Sequence, residues 1–428
     1  MTHLQEIRLI RQLMAQGNVA KAEQQCRQLL QRQPQVAEAW FLLSQIAAMY
    51  NQFPEALACI EHAVSREPVN AHYQVFMAHI QLQLRLAEQA YQRLKPLMAT
   101  QHELSVVQLF GRASWQAGYF ADALAAFKAI AHRQPMSEAN VLPYARALAA
   151  MGRRAEVLTV LEQLEQADNL QAESALLKSH AGLHQAGKEL YGEVLAKYSE
   201  KFTNHSGLQQ LKALFLSWYD NEPLAEHLFN NAYQLASVKS ALSLREPDSH
   251  LAGLPTDVLE YAVSSVSIDG LWLEFGVCFG RSINLIAALH KGIINGFDSF
   301  EGLPEDWKPG EPKGSYSTNG RMPEVAVNVR LHRGWFEQTL PEFLQHHDEP
   351  VAFVHIDCDL YSSTVTVLSH LAKRFIPGTV IIFDDFYGYD GFESHEFKAF
   401  FEAVAEHNLK FKLLSYAALS REVAFVLQ

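Results

Sequence analysis

The sequence of 428 residues has few cysteines and no long apolar run. Its four cysteines are scattered without a CxxC pair, which argues against a disulfide framework or a zinc site and favours a reducing compartment. No uninterrupted apolar stretch reaches the roughly eighteen residues that a transmembrane helix needs. The first residues, MTHLQEIRLIRQ, also lack the basic-then-apolar layout of a signal peptide. We therefore expect a cytoplasmic protein with no membrane role.

Basic charge is scarce as well. Lys plus Arg total 35 against 47 for Asp plus Glu, which gives a formal net charge of -12. Binding to a phosphate backbone requires clustered Lys and Arg, and no basic stripe interrupts the acidic balance. We expect no nucleic-acid partner. The chain is 49% hydrophobic, which is sufficient for a substantial core, and its length favours two domains.

The first 200 residues contain an internal repeat of about 34 residues. Apolar residues recur there at helical spacing, with short breaks at regular intervals. The breaks fall at Gly17, Asn51, Arg85, Gly118, Gly152 and Gly187. A small residue follows the first four breaks, at Ala22, Ala56, Ala90 and Ala123. Three units end in a proline, at Pro34, Pro68 and Pro135.

This pattern resembles the tetratricopeptide repeat, in which a small residue lets two antiparallel helices approach and a proline stops the second one. The resemblance covers five or six units and is weak after Gly152. It predicts an all-α tetratricopeptide-type superhelix over residues 1–200, with an irregular helical bundle as the alternative. Such arrays usually bind a protein or peptide partner. A packing or dimerisation scaffold is the competing interpretation, so a homo-oligomer stays open.

The periodicity changes near residue 256, after a helical connector that we place at 201–255. Short β-rich runs then alternate with helical segments, which is typical of a parallel sheet with helices on both faces. The runs are LWLEFGV, IINGFD, LHRGWF, VAFVHID and GTVIIFD. Two further runs, KFKLLSYA and REVAFVLQ, are too close for a crossover helix and predict an antiparallel hairpin. Residues 256–428 thus resemble the Rossmann-like α/β fold of class I S-adenosylmethionine-dependent methyltransferases, with five parallel strands and a terminal hairpin.

Candidate cofactor residues follow the first two strands. Glu274, Gly276 and Gly280 form an ExGxxxG pattern, which matches neither GxGxxG nor a Walker loop. Glycines admit a ligand close to the backbone, and the carboxylate can face an ammonium or sulfonium group. Asp298, with Ser299 beside it, ends the second strand, where an acidic residue can accept hydrogen bonds from ribose hydroxyls. Tight packing of the turn and a helix N-cap are the structural alternatives. Together the two signals predict an adenosine-containing ligand.

Acidic side chains follow the fourth and fifth strands. They are Asp357, Asp359, Asp384 and Asp385, which parallel strands bring to one sheet edge. Like charges so placed repel unless a cation or protons intervene. An all-oxygen set suits Mg²⁺, and Ca²⁺ less readily, although one aspartate could simply cap a helix. A magnesium ion there could hold an acceptor hydroxyl and lower its pKa.

Five segments, in this order, resemble the macrocin O-methyltransferase family of magnesium-dependent enzymes that methylate macrolide deoxysugars. They are LEFGVCFGRSIN, GFDSFEGLPEDW, GWFEQTLPEF, HIDCDLYSST and PGTVIIFDDF. The resemblance implies that Glu274 and Gly276 line the methionine end of S-adenosylmethionine and that Asp298 holds the ribose. It also implies that Trp335 and Phe336 flank the adenine, although either could be plain core.

The same resemblance implies a metal site and a catalytic residue. It assigns the metal ligands to Asp357, Asp384 and Asp385, and it makes Asp357 the residue that assists deprotonation. Related catechol enzymes place a lysine where this chain has Leu360. The base must then be an aspartate, a histidine such as His355, or metal-bound hydroxide.

The sequence therefore predicts an S-adenosylmethionine- and Mg²⁺-dependent O-methyltransferase that acts on a hydroxyl of a sugar, polyol or other natural product, with repeats that recruit a protein. The repeats are absent from the antibiotic enzymes, so the acceptor does not carry over. Residues 314–323, GSYSTNGRMP, are either a mobile lid or an ordinary surface loop. Two other functions stay open: a repeat scaffold with a non-catalytic cofactor domain, and a protein methyltransferase.

Overall fold

The computed structural model describes residues 2–133, 136–183 and 188–428. The chain divides into two compact units, Met1–Pro135 and Met136–Gln428. Within the described residues, no helix combines the length and the apolar character needed to cross a bilayer.

The first unit consists of consecutive helices that pack against one another in pairs. The helices are α1 (His3–Ala15), α2 (Val19–Arg32), α3 (Ala37–Met49), α4 (Phe53–Arg66), α5 (Ala71–Gln83), α6 (Ala87–Leu94), α7 (Leu104–Gln116) and α8 (Phe120–Ala131), with a 3₁₀ turn at Lys95–Ala99.

The repeat positions read from the sequence have the expected structural roles. The breaks all adopt a left-handed backbone where they are described, with φ values of 77° at Gly17, 57° at Asn51, 61° at Arg85, 78° at Gly118 and 67° at Gly152. Gly187 lies outside the described residues. The small residues are fully buried at Ala22, Ala56, Ala90 and Ala123. Pro34 and Pro68 follow the ends of α2 and α4, whereas Pro135 lies outside the described residues. The predicted helical repeats are confirmed.

The second unit begins with six further helices. They are α9 (Glu138–Ala150), α10 (Arg154–Gln166), α11 (Ala172–Gly182), α12 (Lys188–Lys201), α13 (Ser206–Tyr219) and α14 (Ala232–Leu244), with a 3₁₀ turn at Glu226–Leu228. Two of these helices, α13 and α14, lie within the stretch 201–255, which the sequence analysis expected to be helical. The same stretch also contains a short strand, β1 (His250–Ala252), which the sequence did not predict because three residues carry no measurable periodicity.

The α/β part alternates strands and helices. Its elements are α15 (Pro255–Ser265), β2 (Leu271–Phe275), α16 (Arg281–Leu289), β3 (Ile294–Asp298), β4 (Val329–Arg333), α17 (Phe336–Leu344), β5 (Val351–Ile356), α18 (Tyr361–Leu371), β6 (Val380–Phe383), α19 (Glu396–His407), β7 (Phe411–Ala417) and β8 (Val423–Leu427), with 3₁₀ turns at Ala372–Arg374 and Phe392–Ser394.

Eight strands form one sheet in the order β1-β7-β8-β6-β5-β2-β3-β4. Strands β2 to β6 are parallel to their neighbours within this group, and β8 pairs antiparallel with β6 and β7. The predicted five parallel strands and terminal hairpin are confirmed, and β1 adds a parallel edge beyond β7. The third predicted run, LHRGWF, was wrong at its end: the strand stops at Arg333, and a helix begins at Phe336.

Helices α10 and α11 belong to the same compact unit as the sheet, and they contact α15 and the residues just before it. Arg154 of α10 pairs with Asp257 at 2.9 Å and with Glu260 at 2.6 Å, both on α15. His180 of α11 hydrogen-bonds through Nδ1 to the carbonyl of Gly253 at 2.9 Å. A Cβ on Gly253 would lie 1.8 Å from the carbonyl oxygen of His180, so this position requires glycine. The last helical pairs are thus packed tightly onto the α/β part.

Candidate functional site at the sheet switch point

The site lies where the chain reverses its direction of travel across the sheet, between β2 and β5. The chain runs from β2 outward to β3 and β4, then returns to β5 and continues to β6. Loops on opposite sides of such a point diverge and leave a crevice at the carboxyl ends of the strands. Gly276 follows β2 and Asp357 follows β5, so both lie at this crevice.

Gly276 is where two backbone segments approach most closely. Its φ is 93°, and a Cβ there would lie 1.7 Å from the carbonyl oxygen of Asp357. Its N–H donates to the carbonyl of Phe297 at 3.0 Å. The glycine is therefore required by the chain's own packing, in addition to any role toward a ligand. Gly280 has a φ of 77° and precedes α16 as its N-cap.

Asp298, at the end of β3, is oriented by the turn after β2. Its Oδ2 accepts the N–H of Cys278 at 2.7 Å, and its Oδ1 accepts the N–H of Phe300 at 2.6 Å. Burial raises the pKa of Asp298, and these backbone donors counter part of that effect. Because each carboxylate oxygen has a second lone pair, the group can still accept hydrogen bonds from a ligand. Ser299 is buried, and its hydroxyl accepts the N–H of Glu301 at 3.1 Å.

Glu274, on β2, is completely buried beside a second buried ionisable side chain. Its Oε1 accepts the hydroxyl of Ser282 at 2.6 Å. Its Oε2 lies 3.8 Å from Nδ1 of His355, and Nε2 of His355 lies 3.7 Å from Oδ1 of Asp384. Burial would lower the pKa of His355, but the two carboxylates raise it well above its ordinary value. The two acids thus favour the protonated form of the imidazole between them.

The acidic residues converge as expected. Asp357, Asp384 and Asp385 each offer a carboxylate oxygen, and these oxygens lie within 4.8 Å of one another. Burial and the neighbouring Asp384 raise the pKa of Asp357 well above its ordinary value. Burial acts in the same direction on Asp384, but His355 outweighs it and holds the pKa of Asp384 below its usual value.

Asp359 lies at the same edge with a left-handed φ of 63°. Burial and Asp385 raise its pKa well above normal. A concentration of buried carboxylates with raised pKa values is costly without a cation, which is the electrostatic situation of a hard-metal site. The oxygen-only set fits Mg²⁺.

Two ionisable residues at this edge escaped the sequence reasoning. Glu396, at the start of α19, is completely buried; its Oε2 accepts the N–H of Asp385 at 3.1 Å, and its Oε1 has no hydrogen-bond partner among the described residues. Arg421 donates from Nη1 to Oδ1 of Asp385 at 2.5 Å. Neither residue follows a parallel strand, so no positional pattern pointed to them.

The two aromatic residues named for the adenine lie at the start of α17. Trp335 is its N-cap, and Phe336 packs edge-on against Phe275 of β2 with ring centroids 5.3 Å apart. Both are partly exposed, next to the strand ends that carry Gly276 and Asp298.

The loop between β3 and β4 covers the same edge. Its residues 314–323 are fixed by backbone hydrogen bonds: Gly314 donates to Leu303, and Gly320 donates to Phe300, both at 2.9 Å. Nearer to β3 in the same loop, Trp307 and Lys308 contact Tyr389, which lies on the segment after β6. The sequence did not single out these three residues.

Two protein-family models match parts of this chain. A family model described as a methyltransferase domain matches residues 273–386, which include every acidic residue of the candidate metal site. A tetratricopeptide repeat model matches residues 13–80. The chain is thus similar to tetratricopeptide repeats over residues 13–80 and to a methyltransferase domain over residues 273–386.

Two curated proteins that are similar to this chain are named as O-methyltransferases. One, from Streptomyces olivaceus, is the 8-demethyl-8-(2,3-dimethoxy-alpha-L-rhamnosyl)-tetracenomycin-C 4'-O-methyltransferase, 30% identical over 30% of this chain and 59% of its own length. Another, from Micromonospora griseorubida, is the mycinamicin III 3''-O-methyltransferase, 27% identical over 31% of this chain and 56% of its own. The chain thus spans little more than half of these relatives. A crystal structure of CalS11, a calicheamicin methyltransferase, is 20% identical with a TM-score of 0.33 and covers 51% of this chain and 92% of that one.

Proposed function

We propose that the methyltransferase domain transfers a methyl group from S-adenosylmethionine to a hydroxyl oxygen of a sugar, polyol or related natural product, with Mg²⁺ at the acidic edge. The observation that carries the proposal is the convergence of two sites at one switch point. Asp298 is positioned beside the turn of Gly276, and Gly276 itself is in contact with Asp357. The names of the curated relatives support the oxygen acceptor and the sugar.

For the cofactor, we assign Asp298 to the ribose hydroxyls because its carboxylate is held in place by two backbone donors. Glu274, Gly276 and Gly280 are assigned to the methionine end. Glu274 fits that role because its buried Oε2 has no hydrogen-bond partner among the described residues, which leaves an acceptor for an ammonium group.

The adenine end is assigned to the start of α17 and the residue after Asp298. Trp335 and Phe336 flank the adenine, and Ser299 supports the turn that carries Asp298. This assignment rests on the position of these residues beside the strand ends.

For the metal, we assign Asp357, Asp384 and Asp385, whose oxygens are close enough to share one ion. When bound, S-adenosylmethionine supplies the methyl group, and Mg²⁺ supplies the charge that lowers the pKa of the acceptor hydroxyl. Asp357 accepts the proton in this proposal. Its carboxylate lies where the acceptor hydroxyl would be held, with an oxygen within 4.8 Å of those of Asp384 and Asp385.

His355 does not suit the role of general base. Glu274 and Asp384 stabilise its protonated form, and its ring is buried between them. A protonated imidazole has no lone pair with which to accept a proton. We assign it instead to holding Glu274 and Asp384 in place. Leu360, where catechol enzymes carry a lysine, is a buried N-cap of α18 and supplies no base.

For the remaining parts of the chain, we propose that residues 1–200 bind a protein that makes or carries the acceptor. In this proposal residues 201–255 connect the repeats to the methyltransferase domain, and residues 256–428 catalyse the methyl transfer. Support for the partner comes from the repeat family alone. A cytoplasmic location is supported by the four cysteines, which are all unpaired.

Isothermal titration of S-adenosylmethionine into the wild type and into Asp298→Ala tests the proposal. We expect wild-type binding and at least about a tenfold loss in the variant, because the ribose hydroxyls lose a charged acceptor. Asp390→Ala, an exposed aspartate, is the matched control. Absence of binding to the wild type, with and without Mg²⁺, would reject the proposed function.

A further inference from the structure

A cluster of aromatic and cationic side chains lies beside the acidic edge, and the reaction proposed above does not use it. This acceptor-side cluster consists of Trp307, Lys308, Tyr389 and His395. The ring centroids of Trp307 and Tyr389 are 5.3 Å apart, and His395 lies 6.2 Å from the first and 6.1 Å from the second. The ammonium of Lys308 lies 3.1 Å from the Trp307 centroid and 4.7 Å from that of Tyr389.

Each member of the cluster has a buried polar atom without a hydrogen-bond partner among the described residues. The four atoms are Nε1 of Trp307, Nζ of Lys308, the hydroxyl of Tyr389 and Nδ1 of His395. Burial raises the pKa of Tyr389, and the neighbouring Glu396 and Asp385 act in the same direction. Buried polar groups in native proteins are nearly always hydrogen-bonded. Four exceptions in mutual contact indicate a site that a polar ligand completes.

The cluster is connected to the candidate metal site through one side chain. The guanidinium of Arg421 lies 5.5 Å from the Tyr389 ring centroid, and its Nη1 lies 2.5 Å from Asp385. A ligand held by the cluster is therefore within the length of one side chain of the carboxylates that would hold the reacting hydroxyl. This distance suits an acceptor that contacts both places at once.

The hydrogen-bond donors of the cluster determine which chemical group can bind there. The indole N–H and the ammonium can only donate hydrogen bonds, so the bound group must be rich in oxygen lone pairs. Burial and the charge of Arg421 lower the pKa of Lys308, while Asp385 and Asp359 act in the opposite direction. Two cations beside unpartnered donors favour a negatively charged oxygen group over a neutral hydroxyl. The tryptophan and tyrosine rings add apolar faces against which a sugar ring can pack.

We propose that the acceptor-side cluster binds an anionic oxygen group, a carboxylate or a phosphate, on the acceptor sugar, with Lys308 as the residue that determines this specificity. The inference rests on the proposed function and narrows its substrate class from sugars in general to acidic sugars. Removal of Lys308 is expected to weaken binding of the charged sugar selectively, because the anion loses one of its two neighbouring cations while Asp385 and Asp359 still repel it.

Saturation-transfer difference NMR tests this with three probes: D-glucuronate, D-glucose 6-phosphate and D-glucose. The protein variants are the wild type, Lys308→Met, Lys308→Arg and, as matched control, Lys313→Met. Lys313 lies in the same loop with an exposed side chain, and only its backbone N–H contacts Asp306. Binding of S-adenosylmethionine is measured on the same samples, so that failure of the proposed function is detected separately.

We expect at least one charged probe to bind the wild type and Lys313→Met, with affinity reduced about tenfold in Lys308→Met and largely retained in Lys308→Arg. The two charged probes identify whether the carboxylate or the phosphate is preferred. Equal binding of glucose and of the charged probes, equal binding by Lys308→Met and the wild type, or no binding of any probe to a protein that binds S-adenosylmethionine would overturn the inference.

Discussion

Replacement of Gly276 by alanine should be among the most damaging single-methyl changes in the chain. The residue has a φ of 93°, which alanine adopts only with strain, and its Cβ would lie 1.7 Å from the carbonyl oxygen of Asp357. Real Cβ atoms essentially never come within 3.0 Å of such an atom, so the segments after β2 and β5 must separate by more than about 1 Å. That displacement moves Asp357 away from Asp384 and Asp385.

The chain offers a control that isolates the backbone strain from the collision. Gly310 has a φ of 90°, nearly the same as Gly276, but a Cβ there meets nothing within 4 Å. Gly310→Ala should therefore cost only the left-handed strain, about 1–2 kcal/mol in the free energy of unfolding. Gly276→Ala adds the collision and should cost about 2 kcal/mol more.

The assay is denaturant unfolding followed by tryptophan fluorescence, with Mg²⁺ titrated into the folded variants. We expect Gly276→Ala to show both a lower unfolding midpoint than Gly310→Ala and weaker Mg²⁺ binding. If the two alanine variants unfold at the same denaturant concentration, the close contact with Asp357 does not constrain the chain and the reasoning fails. If Gly276→Ala is destabilised but binds Mg²⁺ like the wild type, the link from this glycine to the proposed metal site is refuted.

Arg154→Met should destabilise the second unit by about 3–5 kcal/mol, because it removes the guanidinium that pairs with the completely buried Asp257 at 2.9 Å and with Glu260 at 2.6 Å. Adding Asp257→Asn should recover part of that loss in chemical denaturation; no recovery would mean that the loss comes from packing instead. Asp359→Asn should stabilise the metal-free protein by about 1 kcal/mol or more at pH 8, because the pKa of Asp359 is raised on folding by burial and by Asp385. The sign follows from proton linkage: the ionised buried carboxylate opposes folding above its unfolded pKa of about 4, so the gain should vanish below that pH. Melting temperatures in chelator at both pH values check this, with the exposed Asp390→Asn as control, and a gain that persists at low pH would contradict it.

The helical half of the chain was predictable because its information is local and repeated. Each feature of the repeat can be recognised from a few neighbouring residues. These features are a left-handed residue between the helices of a pair, a small residue where the helices cross, and a proline after the second helix. Gly17, Gly118 and Gly152 supply the left-handed conformation through glycine, whereas Asn51 and Arg85 adopt it without that help. For Asn51 and Arg85, the only signal in the sequence was their spacing of about 34 residues from the other breaks.

The strands of the sheet were predictable for a related reason. Each central strand is a short apolar run bounded by charged or glycine-rich segments, and every residue of β2, β5 and β6 is buried. The end of β4 was mislocated because Gly334, Trp335 and Phe336 are compatible with either a strand or the start of a helix. Strand β1 was missed because its stability comes from pairing with β7, more than 150 residues later in the chain.

By itself the sequence determined the helical repeats, the five parallel strands and the terminal hairpin. It also located the polar residues that follow parallel strands, because the carboxyl ends of such strands lie at one edge of the sheet. Asp298, Asp357, Asp384 and Asp385 all belong to this class. Only the tertiary structure showed that Gly276 is required by the carbonyl of Asp357, that the buried His355 lies between Glu274 and Asp384, and that Arg421 contacts Asp385. The physical reason is that these properties depend on distances and burial between segments far apart in the chain, and no local pattern of residues encodes them.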